Sequence, residues 1–185
     1  MSQIPILPAN PAILQARAKW QYTGQKRPAF AQHPEPGQES VWDYPRPPRI
    51  ETVSAPIKVM SGELVVAATT AAKRVLETAG APTYYIPPDD IDTSLVEFGE
   101  PASICEWKGL AQSLHVDGQA DAGWRYIQMF EEFAELYQWP SFYPTKLKCF
   151  VGEEQVTAQP GGYYGGWVTR ALMGPIKGSP DSSGW

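Results

Sequence analysis

Ser103-Ile104-Cys105-Glu106-Trp107-Lys108-Gly109 sets a thiol, a carboxylate, an indole and an ammonium next to one another. The segment reads as a strand, and strand side chains alternate between faces. Cys105 and Trp107 are then expected on a core-facing side. Glu106 and Lys108 share the other side, about 7 Å apart by strand rise. As a surface pair, two such charges contribute little. Facing a cleft, they are an acid–base or anion-binding pair, and they are the best catalytic candidates in the chain. A reactive cysteine needs a histidine, a cation or a helix N-terminus beside it. Alternation puts Lys108 on the opposite face from Cys105, so a buried, inert thiol is expected.

Other residue patterns offer less. Gly161-Gly162-x-x-Gly165-Gly166 could cradle an anion with its backbone amides. It lacks the Lys-Ser/Thr of a phosphate loop, and Trp167-Val168-Thr169 after it reads as a strand rather than a helix. Its glycines are expected to let the chain turn while Tyr163, Tyr164 and Trp167 stack on a sheet. His33 and His115 are isolated and expected to be solvated. A structural zinc site takes about four Cys or His ligands in pairs. Two Cys and two His, far apart, give no such set, so neither metal nor cofactor is expected.

The totals bound the class. The chain has 185 residues, 43% of them hydrophobic, with 19 Pro, 16 Gly and 7 Trp. That length fits one domain plus an appendage. So much Pro and Gly argues for many turns rather than a helical bundle. A net charge of −5 disfavours a broad nucleic-acid surface, which needs clustered Lys and Arg. Nothing resembles a secretory leader or a membrane span. A cytoplasmic protein with reduced thiols and no membrane partner is the expectation.

The elements that must hold these groups follow along the chain. Residues 1–38 read as a partly ordered N-terminal extension. It contains a short helix near Pro11–Trp20, capped by Asn10 with Pro11 in its first turn. Trp42 and Tyr44 are expected as pegs on an extended, Pro-rich strap over Glu39–Glu51. Ile57–Met60 and Glu63–Ala67 form a hairpin around Ser61-Gly62. The stretch Ala71–Thr78 reads as a helix capped by Thr70, with Lys73 and Glu77 paired one turn apart. Pro82–Pro87 is a short strand, and Asp89 is expected to cap a helical turn. Leu110–Val116 continues a sheet to a turn at Asp117-Gly118. A helix is expected over about Phe130–Tyr137, a strand from Phe142, and a hairpin around Gly152. The fold class is therefore α+β, mainly antiparallel β, with two or three short helices.

Several of these segments resemble one family. Glu39–Arg49, Arg74–Thr78, Pro82–Pro87, Cys105–Gly109, Phe142-Tyr143, Gln159–Trp167 and Gly174–Gly178 are similar, in order, to the bacterial and fungal domain-of-unknown-function family 427, which also carries a nucleotidyltransferase-like label. The resemblance covers about residues 39–185, a single β-rich domain. It implies a β-tent-like fold, two antiparallel sheets meeting at an angle over a pocket. Relatives of that fold hold zinc through Cys pairs, which this chain lacks. The paired carboxylates and Gly-Ser pattern of ordinary nucleotidyltransferases are also missing.

The functional expectation is an uncharacterised small-molecule-binding domain. Its polar and aromatic cleft would be lined by Arg74, Tyr85, Glu106, Lys108 and Trp167. One alternative is an enzyme acting on a nucleotide-like or other anionic substrate. There Lys108 would bind the anion and Glu106 would act as acid or base. The other is a scaffold that presents its Pro-rich strap to a partner protein.

Overall fold

The computed structural model describes residues 3–182 and 184–185. Helix α1 (Pro11–Ala18) begins as the sequence suggests. The Asn10 side chain accepts from the Ile13 amide at 3.0 Å, and proline occupies the first turn. Fifteen strands follow among the described residues: β1 (Glu39–Ser40), β2 (Arg49–Thr52), β3 (Ile57–Ser61), β4 (Leu64–Thr69), β5 (Lys73–Leu76), β6 (Thr83–Tyr85), β7 (Val96–Cys105), β8 (Gly109–Val116), β9 (Gln119–Met129), β10 (Ser141–Phe142), β11 (Lys148–Val151), β12 (Glu154–Gln155), β13 (Thr157–Ala158), β14 (Trp167–Val168) and β15 (Leu172–Met173).

Two four-stranded antiparallel sheets dominate, in the orders β10-β9-β8-β7 and β12-β11-β3-β4. A three-stranded sheet β2-β5-β6 accompanies them, with two short pairs, β1–β15 and β13–β14. The protein is thus α+β and mainly antiparallel β. The β3–β4 and β8–β9 hairpins sit where the sequence places them. The second turns through Asp117 (φ 48°) and Gly118 (φ 75°), the left-handed pair that a tight hairpin demands. Pro82–Pro87 yields β6, and the turn at Gly152 joins β11 to β12.

The helix expected over Ala71–Thr78 is instead β5. Its four residues pair with β2 on one side and β6 on the other, Ile50 opposite Val75 and Arg74 opposite Tyr84. Helical propensity there is local and weak, and two flanking strands outweigh it. Lys73 consequently pairs with Glu135 rather than Glu77. Thr70 caps nothing; the hydroxyl of Thr69 accepts from the Ala71 amide. The segment after Phe130 is a 3₁₀ helix, Glu131–Leu136, and Pro88–Asp90 is another, which Asp89 does not cap.

Three buried clusters result. One, with Trp167, Tyr84, Phe142, Val59 and Cys149, lies against the β3–β4–β11 sheet. A second, with Tyr85, Trp107, Trp124, Tyr126 and Met129, lies against β8 and β9. The third gathers Val41, Trp42, Tyr44 and Leu76 beneath the strap. Trp42 is fully buried there, meeting Tyr22, Phe30 and Trp185 edge-on at 5.1–5.2 Å between ring centres. The N-terminal segment is held at a second point: Leu7 N–H donates to the Met129 carbonyl and Met129 N–H to that of Pro5. Among the described residues, no helix is long and apolar enough to cross a membrane.

Candidate functional site

The strand that opens the chemistry stops sooner than its pattern suggests. β7 ends at Cys105 and β8 starts at Gly109, so Glu106-Trp107-Lys108 is the hairpin turn between them. Gly109 adopts φ 132°, and a Cβ there would come within 2.1 Å of the Gln128 carbonyl oxygen. Because a turn does not alternate faces, Cys105, Glu106 and Lys108 all border one cavity, while Trp107 goes into the core. This overturns the expected separation of Cys105 from Lys108. Cys105 is only half-buried and lines the cavity, rather than being sealed in the core.

The cavity measures about 440 Å³. β8 and β9 form one wall through Ala111, Ser113, Trp124 and Tyr126, and β5 and β6 form another through Val75 and Tyr85. The glycine-rich loop closes a side. Gly165 lies flat on the Trp124 ring, where a Cβ would sit 2.1 Å from a ring carbon. The amide of Gln159 pins that side, with Oε1 accepting from Ala81 N–H at 3.0 Å and Nε2 donating to the Lys177 carbonyl at 2.8 Å. The loop therefore builds a wall. Trp167 beyond it is buried as expected, but Tyr163 is exposed and meets only Tyr164 edge-on.

The N-terminal segment reaches the same place. Trp20 Nε1 donates to Glu106 Oε1 at 3.0 Å, and the Arg46 guanidinium (4.3 Å) and the Lys177 ammonium (3.7 Å) both lie over its ring. Arg17 donates from Nε to the Glu106 carbonyl at 2.7 Å and pairs with Glu132 at 3.1 Å. The turn carrying Glu106 is thus clamped from outside.

The cations around the cavity differ in what they already hold. Arg46 is committed through all three of its nitrogens: it reaches Glu77, the Tyr22 carbonyl and the Thr78 carbonyl at 2.8–3.2 Å. Lys177 donates to the main-chain oxygen of Trp185 at 2.7 Å. Burial and the nearby Arg46 charge pull the Lys177 pKa down to about 8. Lys108 is 8% exposed, and among the described residues no carboxylate lies within 4.0 Å of its Nζ. Burial works against its charge, but Cys105, Tyr85 and the more distant Glu77 carboxylate oppose that and shift the Lys108 pKa upward, so the ammonium stays protonated. Tyr85 is wholly buried, and its hydroxyl has no hydrogen-bond partner. Burial pushes the Tyr85 pKa up against the pull of Lys108, so the hydroxyl keeps its proton.

Of the residues singled out from sequence, Tyr85, Glu106 and Lys108 border this cavity. Arg74 and Trp167 do not. Arg74 is bound to Glu39 at 3.0 Å and to Glu51 at 2.9 Å. Trp167 stacks on Tyr84 at 4.8 Å in the other core and donates to the Phe142 carbonyl at 2.9 Å. Trp20, Arg46, Trp124, Tyr126, Gln159 and Lys177 border the cavity without having been singled out as site residues. Arg46, Gln159 and Lys177 lie in segments that carry the family resemblance, but nothing local marks any of the six as a cavity residue; long-range packing brings them in. His33 and His115 stand apart from the cavity; His115 Nδ1 accepts from the Asp121 amide. Among the described residues no three His, Cys, Asp or Glu side chains are grouped to hold a metal.

Residues 49–153 match the model of the family described as a domain of unknown function (DUF427) and labelled NTP_transf_9, and the chain belongs to that family. No curated protein matches it.

Proposed function

We propose that the protein binds a small molecule in the cavity, with an anionic or strongly electron-rich oxygen of the ligand at Lys108. The buried, carboxylate-free ammonium of Lys108 on the wall of a 440 Å³ cavity carries this reading. Burying a lone charge is costly unless something pairs with it. The Tyr85 hydroxyl supplies a second uncommitted donor. Trp124 and Tyr126 supply flat apolar walls, so a planar body with an acidic end fits the arrangement. The strap favours no scaffold role, since Trp42 and Arg46 are already committed within the chain.

A thermal-shift series with aromatic carboxylates and mononucleotides tests the reading. An anion that fills the cavity raises the melting temperature of the wild type progressively as its concentration climbs above its Kd, and leaves Lys108→Met unshifted. Equal shifts in both proteins, or none with any anion, overturn it.

A further inference from the structure

Cys105 lies in the cavity wall with a carboxylate on one side and a cation on the other. Its Sγ–H points to Glu106 Oε2 at 4.0 Å. Lys108, from the same three-residue turn, faces it without a carboxylate of its own. The unpartnered, fully buried Tyr85 hydroxyl approaches from β6. These are a nucleophile, a proton acceptor and two donors around one space, the set that acyl transfer requires. The second thiol is a control of a different kind. Cys149 is buried in the other core, its Sγ directed only at the Leu147 carbonyl, and burial drives its pKa far up.

We propose that Cys105 is an acyl-accepting nucleophile acting on esters or thioesters of small carboxylic acids, with Glu106 as proton acceptor and Lys108 and Tyr85 as the oxyanion donors. The inference rests on the cavity admitting a small molecule, as argued above. The Sγ lone pair forms the S–C bond to the carbonyl carbon as the thiol proton passes to Glu106. The C=O electron pair moves onto oxygen, which receives hydrogen bonds from Lys108 Nζ and the Tyr85 hydroxyl. The tetrahedral species collapses, re-forming C=O and breaking the bond to the alcohol or thiol. That leaving group takes the proton back from Glu106. Water then hydrolyses the Cys105 thioester to the free acid, with Glu106 accepting and returning the proton.

The test uses the full chain with p-nitrophenyl acetate, following nitrophenolate release and locating the acetyl group by peptide mass mapping. One acetyl group on Cys105 and none on Cys149 is expected, with faster acetylation of Cys105 in the folded wild type than in the urea-unfolded chain. Lys108→Met should slow acetylation about a hundredfold or more, the scale of losing one oxyanion donor. Tyr85→Phe should slow it less, and Cys105→Ser should abolish the burst. Acetylation confined to surface lysines, or a Cys105 no faster folded than unfolded, overturns the inference, and that comparison needs no variant. Aromatic carboxylates that raise the melting temperature while Cys105 stays inert overturn this inference alone. Silence in both assays overturns the binding reading as well.

Discussion

Tyr84 and Tyr85 are neighbours on β6, and strand alternation sends them into two different interiors. Tyr84 stacks on Trp167 in a buried core whose residues do not border the cavity. Tyr85 faces a cluster of comparable aromatic content that encloses a cavity, and its hydroxyl is left without a partner. The same contrast separates the two thiols, Cys149 in the filled interior and Cys105 on the hollow one. A cavity costs dispersion contacts and an orphaned hydroxyl costs desolvation, so the hollow side is the less stable way to use these residues. A chain that keeps both side by side separates holding the fold from presenting polar groups.

The sharpest way to break this comparison is to hollow out the filled side. Trp167→Ala removes a fully buried ring, its stack on Tyr84 and its hydrogen bond to Phe142. A loss of about 3–5 kcal/mol is expected in urea unfolding. A loss below that of an ordinary surface change would mean that the two interiors are not different. The next effect separates the cavity's own cations. Arg46→Met strands Glu77 and two carbonyls and should cost about 3 kcal/mol. Lys108→Met strands nothing comparable and should leave the urea midpoint close to that of the wild type. Equal losses would show that Lys108 is a structural cation too.

A smaller effect is set by pH. Lys177 releases its proton at about 8 in the fold, but near its ordinary 10.5 when unfolded. Between those values the unfolded chain binds more protons, so this group makes stability rise with pH across that window. Arg46 and Lys19 oppose its charge, and Glu77 and Glu106 support it. The difference in stability between wild type and Lys177→Met, followed from pH 7 to 10, should change in that sense; a flat difference would contradict it. The smallest effect belongs to Tyr85→Phe. Deleting an unsatisfied hydroxyl should leave stability unchanged or raise it by about 1 kcal/mol. A clear loss would reveal a partner for that oxygen.

Local signals carried much of the fold. Asn10 with Pro11, Ser61-Gly62 and Asp117-Gly118 each act through bonds within a few residues, and each element stands where its signal lies. Lys73–Leu76 reads locally as a helix because its strand neighbours β2 and β6 lie outside any local window. Cys105–Gly109 reads as a continuous strand for a subtler reason: its three turn residues have the same alternating composition as a strand. Only the constraint on Gly109, imposed by Gln128 across the sheet, separates the two. For the site, Tyr85, Glu106 and Lys108 could be named because they are polar groups set among aromatics. Arg46, Gln159 and Lys177 could not, since what brings them in is the strap and the glycine-rich loop closing from far along the chain.

The turn at Glu106–Lys108 has one more consequence. Cys105, Glu106 and Lys108 are separated by at most three peptide units, so a single hairpin, with Trp20 and Arg17 holding Glu106, sets their spacing. Tyr85 comes from a different sheet. Its distance to Lys108 is therefore a gauge of how far apart the two walls stand. Breathing of the walls would leave the thiol and its two charged neighbours in register while moving the hydroxyl in and out of reach.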